Sequence, residues 1–446
     1  MVMSEEGTIT APAASAGAAL QSRDFRLYQS ARLMVIIGAE AQSVAVAWQV
    51  YQITHSALDL GLTGLALFLP GLLFMLAAGH TADRCDRRKI ILCCYTLQAV
   101  CTAVLLRLSL SSWAFANGRV WPIYAILIGI GLGRTFSGPA ASAMLPSLVP
   151  KNHFVNAVTW GATVYQIANM SGPAVGGILF TLPLAGALNA WKGAPIVYVF
   201  TLAMLISFII LVGMIRTPTV PSPKKGFTLR TVLAGLEYVW KTKLLLGSIS
   251  LDLFAVMLGG ATALLPIFAT DILHAGPRGL GLLRAMPSVG ALVVSLTMLI
   301  YPIKRRAGAT MLACVAIFGA ATVVFGLSRS MWLSVASLFF VGASDMVSVV
   351  VRSSILQLAT PPEMRGRVSA VNWLFVGASN EFGEFESGVT ASWWGAVPAV
   401  IIGGLGSLLV TAGTAVFFPR LRQADALTAE SLRGAEQELA IAEPAD

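Results

Sequence analysis

The chain has 446 residues, of which 56% are hydrophobic and only 11% charged, against roughly a quarter charged in soluble domains. That composition excludes a soluble globular protein and fits a polytopic membrane protein. The net charge of +9 would point to nucleic acid in a soluble chain, but here the cations follow the loops between apolar runs. The lipid bilayer is the partner they imply, and no nucleic-acid role is expected.

Met1 to Gln21 is rich in Ala, Ser and Gly and lacks the basic start and apolar centre of a signal peptide, so residues 1–27 read as a cytoplasmic tail. Twelve apolar runs follow, each long enough to cross a bilayer as a helix. They lie at about 28–52, 58–78, 90–112, 120–145, 156–181 and 193–215, then at about 245–270, 279–302, 308–328, 331–358, 366–391 and 396–418. This predicts an all-α membrane protein with one six-helix bundle over 28–215 and a second over 245–418. The linker 216–244 opens with Pro218, Pro221 and Pro223. Within it Leu229, Val232, Leu233, Leu236 and Trp240 recur at helical spacing, which predicts an amphipathic helix on the inner leaflet. Residues 419–446 form a C-terminal tail. On this map roughly 22 of the 30 Lys and Arg lie in the tails, alternate loops and adjoining span edges, so the positive-inside rule places both termini in the cytoplasm of a bacterial inner membrane. Arg119, Lys192, Arg278 and Arg329 fall on the other side, and Arg107, Arg134, Arg284 and Arg352 fall within spans.

The five cysteines, Cys85, Cys93, Cys94, Cys101 and Cys314, have no metal-ligand spacing and an odd count, so neither a disulfide framework nor a metal site is expected. The chain has no Walker phosphate loop, no His-Glu-x-x-His and no nucleophile with its base. It reads as neither an enzyme nor an ATP-driven pump, and no cofactor is expected.

Between spans 2 and 3 lies the charged island Gly79-His-Thr-Ala-Asp83-Arg84-Cys-Asp-Arg87-Arg88-Lys89. It resembles the loop between helices 2 and 3 of the major facilitator superfamily of secondary transporters, with Thr81 in place of a leucine and Asp86 in place of a second glycine. Aspartate tolerates the left-handed backbone of a tight turn better than most residues, so the change at 86 keeps the turn. In that family the aspartate, here Asp83, latches helices 2 and 3 to helix 11 on the cytoplasmic side when the transporter faces outward. The resemblance therefore assigns Gly79, Asp83, Arg84, Arg87 and Arg88 to a cytoplasmic gate. The matching turn of the second half, Lys304-Arg-Arg306, has no aspartate, so the latch is one-sided.

A tandem repeat supports the same reading. Arg134 stands three residues after Gly131 and sixteen before Pro150, and Asp345 stands three after Gly342 and sixteen before Pro361. Beyond the prolines, Asn-Ala-Val-Thr-Trp at 156–160 answers Ser-Ala-Val-Asn-Trp at 369–373. Parallel six-span repeats are what the two halves of a facilitator-type transporter show.

In span 4, Arg134-Thr-Phe-Ser-Gly138 resembles the family's Arg-x-x-Gln-Gly pattern; an arginine so deep costs on the order of 3 kcal/mol and should face a cavity or a partner. In span 5, Gly172, Pro173, Gly176 and Gly177 resemble the antiporter motif, with Ala168 replacing its first glycine. Small residues at this spacing allow close helix approach, and the resemblance implies export. In span 11, Asn380, Glu381 and Glu384 share a helix face, while Glu386 points elsewhere. Pro361 to Gly388 resembles the branch of the superfamily that contains the enterobactin exporter and related secretion transporters. Crowded carboxylates in hydrocarbon suit a proton carrier. Glu40, Asp252, Asp345, Glu381 and Glu384 are the candidates. Arg134, Arg352 and Asn380 are the substrate-cavity candidates, the two arginines favouring an anionic group. Asp345 and Arg352, seven apart on one face, are placed to bind different parts of a polar substrate.

The expected function is proton-coupled export of a small amphiphile, a siderophore or a drug-like compound, by a monomer working through alternating access. The alternatives are a broad multidrug exporter without a siderophore role, and a transporter-like sensor or assembly protein that carries nothing.

Overall fold

The computed structural model describes residues 18–111, 119–150, 153–182, 193–217, 229–301, 303 and 306–424. The N-terminal tail to residue 17, most of the C-terminal tail, the linker prolines, Lys192 and Lys304-Arg305 lie outside the described residues. Among the described residues the structure is helical, with no strand.

The first half contains α1 (Arg23–Thr54), α2 (Ala57–Arg84), α3 (Arg87–Ser109), α4 (Trp121–Met144), α5 (Phe154–Leu179) and α6 (Ala194–Gly213). The linker contributes α7 (Leu229–Lys241). The second half contains α8 (Lys243–Leu258), the three-residue turn α9 (Leu265–Ile267), α10 (Gly276–Ile300), α11 (Ala307–Leu327), α12 (Met331–Ala359), α13 (Pro362–Trp394), α14 (Ala396–Phe417) and the short α15 (Pro419–Gln423). Every predicted span but the seventh falls on a single one of these helices, and the seventh on the broken run from α8 to residue 272. Among the described residues, nine runs are long and apolar enough to cross a membrane. The long helices α4, α5 and α13 fall outside that set; Arg134, Asn169 and three glutamates respectively dilute their hydropathy.

Short caps force antiparallel neighbours. Only His55 and Ser56 separate α1 from α2: His55 takes the left-handed conformation (φ 47°) with its N–H on the Tyr51 carbonyl, and the Ser56 hydroxyl accepts from the Asp59 N–H at 3.2 Å. Gly395, with φ 91°, alone joins α13 to α14.

Span 7 departs from expectation. It is not one helix over 245–270: α8 stops at Leu258, and a 3-10 turn (Ala261–Leu264), α9 and a π turn (Phe268–Ile272) follow. The break falls at Gly259-Gly260, where a Cβ on Gly260 would lie 2.8 Å from the Gly383 carbonyl oxygen. Without a side chain the broken segment packs directly on the backbone of α13.

The amphipathic helix expected in the linker is α7, and it also packs on the second half. A Cβ on Gly235 would sit 2.7 Å from the Arg367 carbonyl oxygen, and the Tyr238 hydroxyl donates to the Ala359 carbonyl at 3.3 Å. Its Leu233 and Trp240 stay exposed.

The apolar cores show how the halves meet. At the end carrying the Gly79–Lys89 stretch, here the basic end, each half has its own cluster: Phe25, Ile91, Met144 and Phe208 in the first, Leu245, Met311, Ile355 and Val368 in the second. At the far end one cluster runs through both halves and joins Trp48, Leu60 and Phe180 to Leu264, Phe268 and Leu280. Two helix pairs form the seam there. Along α2 and α13, a Cβ on Gly388 would lie 2.8 Å from the Ala57 carbonyl oxygen and one on Gly61 3.1 Å from that of Glu384. Along α5 and α10, a Cβ on Gly281 would lie 2.6 Å from the Pro173 carbonyl oxygen. Towards the basic end the approach of α2 to α13 loosens: among the described residues a Cβ on Gly377 would meet only the Phe68 ring, at 3.8 Å, and one on Gly366 nothing within 4 Å. The two bundles are closed at the far end and splayed at the basic end.

Candidate functional site

Most of the Gly79–Lys89 stretch is helical rather than a loop. Gly79 to Arg84 are the last turns of α2, Arg87 to Lys89 begin α3, and only Cys85 and Asp86 intervene. Asp86 does not use a left-handed backbone; at φ −60°, ψ 114° it is the N-cap of α3, its carboxylate accepting from the Arg88 N–H at 2.9 Å. A side-chain acceptor satisfies a helix N-terminus, which glycine at this position cannot do. Arg87 donates to the Ala143 carbonyl at 3.0 Å, and Arg88 donates to the Gly213 carbonyl. Both therefore cap the C-terminal ends of α4 and α6, where orphan carbonyls and the helix dipole favour a cation. Arg84 is exposed. Asp83 is half-buried and makes no hydrogen bond or ion pair among the described residues.

The embedded charges converge on the seam. Glu381 and Glu384 lie on the face of α13 that meets α2 at Gly64, where a Cβ would stand 2.7 Å from Glu384 Oε2 and 3.3 Å from Glu381 Oε2. Arg134 of α4 and Arg284 of α10 are charge neighbours of Glu381, and Arg284 and Glu40 of α1 are charge neighbours of Glu384. Arg284 donates from Nη2 to the Ser43 hydroxyl of α1 at 2.8 Å. A cavity of about 50 Å³ at this point is lined by Gln42, Ser43, Gly64, Arg134, Arg284 and Glu384. Three carboxylates and two guanidiniums thus come together from four helices across the two halves. Arg284, Ser43 and Gly64 were missed as site residues by sequence reasoning. The available signal was Arg284 itself, an arginine within an apolar run.

The span 5 motif holds α5 between α1 and α10. A Cβ on Gly172 would lie 2.5 Å from the Glu40 Cβ, one on Gly176 2.8 Å from the Ala41 Cα, and one on Gly177 2.8 Å from the Pro277 carbonyl oxygen. The glycines let Glu40 sit directly against α5. Pro173 supplies the carbonyl that meets Gly281, within an unbroken helix.

The remaining candidates sort differently. Asp252 of α8 and Arg352 of α12 form a buried ion pair, and Arg352 lines neither described cavity. Its guanidinium serves that carboxylate rather than standing free for an anion. Asp345, two helical turns away, is separated from this pair; it lines a cavity of about 250 Å³ inside the second half, with Asn380 and Glu384. Asn380 donates to the Val376 carbonyl at 3.0 Å on its own helix. Glu386 accepts from the Thr390 hydroxyl at 2.6 Å and takes no part in the seam. Among the described residues no group of His, Cys, Asp and Glu is arranged to hold a metal ion.

At the far end, among the described residues, two hydrogen bonds tie the halves: Tyr51 of α1 donates to Asp271 of the π turn, and Arg278 Nε of α10 donates to the Thr181 hydroxyl beyond α5 at 2.6 Å.

Two pseudo-symmetric helical bundles meeting over a charged seam define a membrane transporter of the major facilitator superfamily. A family model described as transmembrane secretion effector matches residues 14–443, and the chain belongs to that family. It is 27% identical over 397 residues to the enterobactin exporter EntS of Citrobacter koseri, covering 88% of this chain and 87% of that protein. The fold is similar to that of the D-xylose-proton symporter, with a TM-score of 0.69 at 14% identity over 89% of this chain and 98% of that one. It is also similar to a bacterial homologue of the human lysosomal transporter Spinster, solved in an inward-facing and occupied conformation, with a TM-score of 0.65 at 15% identity over 95% and 99%.

Proposed function

We propose that this chain is a proton-coupled exporter of a small amphiphile, of siderophore or drug-like type, working as a monomer by alternating access between the bundles 28–215 and 245–418. The observation that carries the reading is the seam cluster of Glu40, Glu381 and Glu384 with Arg134 and Arg284. With every group ionised it carries one negative charge, so a single bound proton brings it to neutrality. Since the groups come from both halves, separating the halves must change the cost of that proton, and a site whose affinity differs between two states couples to the transition. The likeness to enterobactin exporters and the glycine motif of α5 favour export as the direction.

On the positive-inside rule the basic end faces the cytoplasm of a bacterial inner membrane, with both termini there. The splayed basic end is then the inward-facing, loading conformation. That Asp83 is without a partner among the described residues accords with a latch that closes only when the transporter faces outward.

Everted membrane vesicles test this with a panel of siderophores and dyes. An inside-acid gradient should drive accumulation, and a protonophore should abolish it. Accumulation that survives collapse of both pH gradient and voltage overturns the reading.

A further inference from the structure

The cavity inside the second half is distinct from the seam. It lies between the break after α8 and helices α10, α11, α12 and α13, with a volume of about 250 Å³. Its lining includes the apolar Phe318, Phe325, Leu338 and Val341 and the polar Thr262, Thr322, Asp345, Asn380 and Glu384. Among the described residues no lysine or arginine lines it. Among the described residues Asp345 makes no hydrogen bond or ion pair, whereas the other deep aspartate of this half, Asp252, is matched by Arg352. Glu384 lines both this cavity and the seam cavity, so the two meet at its carboxylate. Arg284 stands on the seam side of Glu384 and lines only the seam cavity.

A carboxylate left alone in a low-dielectric bundle is costly when ionised and is relieved by a counter-charge or by a proton. The space is far larger than one dehydrated metal ion. Among the described residues no cluster of His, Cys, Asp and Glu there is arranged to hold a metal ion, and the apolar lining suits an apolar or aromatic body with a cationic end.

We propose that this cavity is a binding site for a small organic cation, a primary ammonium on an aromatic or aliphatic body, with Asp345 as its counter-ion and entry past Glu384. The body rests on Phe318, Phe325 and Leu338, and Asn380 offers its amide oxygen to the ammonium. The inference does not rest on exchange with protons, because occupancy is read at equilibrium without a gradient.

The test is calorimetric titration of the purified full chain in detergent with 2-phenylethylammonium, its neutral analogue 2-phenylethanol and the anion 3-phenylpropionate. The ammonium should bind at least about thirtyfold more tightly than the alcohol, and the anion should not bind. Asp345→Asn should reduce ammonium affinity by roughly thirtyfold or more while leaving the alcohol unchanged. Val341→Phe, which fills the cavity and keeps the aspartate, should abolish both; it decides the matter if Asp345→Asn does not elute as a folded monodisperse species. Equal binding of ammonium and alcohol, or ammonium binding that survives Val341→Phe, overturns the proposal. Failure of gradient-driven transport in vesicles leaves this binding result standing, so the two readings fail separately.

Discussion

Arg284 of α10 donates to Ser43 of α1 at 2.8 Å, so a cation of the second half is held by a hydroxyl of the first, beside the carboxylate of Glu384. This one side chain touches both bundles at the cluster proposed to couple them. Arg284→Ala should leave membrane insertion intact and lower the initial efflux rate at least about thirtyfold, the scale of removing one partner from a buried charge group. Ser43→Ala, which removes only the hydroxyl, should cost less than about tenfold. Rates in everted vesicles, normalised to protein level, check both; wild-type rates for Arg284→Ala would take the seam cluster out of the mechanism.

Glu384→Gln fixes this carboxylate in a neutral form. If it carries the proton, the variant loses gradient-driven accumulation yet still exchanges labelled for unlabelled substrate across proteoliposomes, since exchange needs no net proton movement. Glu381→Gln serves as the comparison within the same cluster. Retained accumulation in both variants would transfer the coupling role to Glu40.

The helices and the tandem halves were legible because membrane spans announce themselves by length and hydropathy, and the repeat by fixed offsets around Arg134 and Asp345. The close approach at Gly172, Gly176 and Gly177 was legible for a similar reason: small residues at helical spacing constrain packing whatever the partner. Partners themselves were not. Arg352 is seven residues from Asp345 and a hundred from Asp252, yet it pairs with Asp252, because helix rotation within the bundle decides which face meets which. Arg284 was visible as an embedded arginine, but nothing local says that Ser43 will lie opposite. Asp86 was misread locally: an aspartate just before a helical run is a capping signal, and the turn geometry of a glycine was carried over to it instead.

Asp83 and Arg87 lie four residues apart and separate gating from stability. Among the described residues Asp83 has no partner in the splayed conformation, so Asp83→Asn should leave the melting temperature unchanged and reduce efflux severely. Arg87 caps α4 through the Ala143 carbonyl, so Arg87→Ala should lower stability by about 1–2 kcal/mol. Thermal unfolding in detergent alongside vesicle transport distinguishes them, and normal efflux by Asp83→Asn at normal expression would reduce this stretch to a determinant of topology.

Gly281→Ala tests the seam at the far end. The new methyl would stand 2.6 Å from the Pro173 carbonyl oxygen and 2.9 Å from the Gly177 Cα, both backbone atoms that cannot swing aside. Overpacking of this kind costs about 1–3 kcal/mol, charged here to the closed far end alone. A cysteine placed at Thr181 should therefore react faster with a membrane-impermeant thiol reagent in Gly281→Ala than in the unsubstituted background. Unchanged labelling would mean that α5 and α10 have room to adjust without opening.

The Asp252 and Arg352 pair gives the sharpest separation of a structural role from a binding one. Both side chains are almost wholly buried, at 6% and 5% exposure, so removing one partner strands the other in a low-dielectric interior. Arg352→Ala should cost about 3–5 kcal/mol and show as poor yield and early unfolding. The double variant Asp252→Ala, Arg352→Ala strands neither charge and should recover most of that stability. Its transport then becomes the deciding measurement. An arginine that only neutralises Asp252 predicts efflux near the unsubstituted rate once folding is restored. An arginine that receives an anionic substrate predicts a folded protein with a raised KM for anionic cargo.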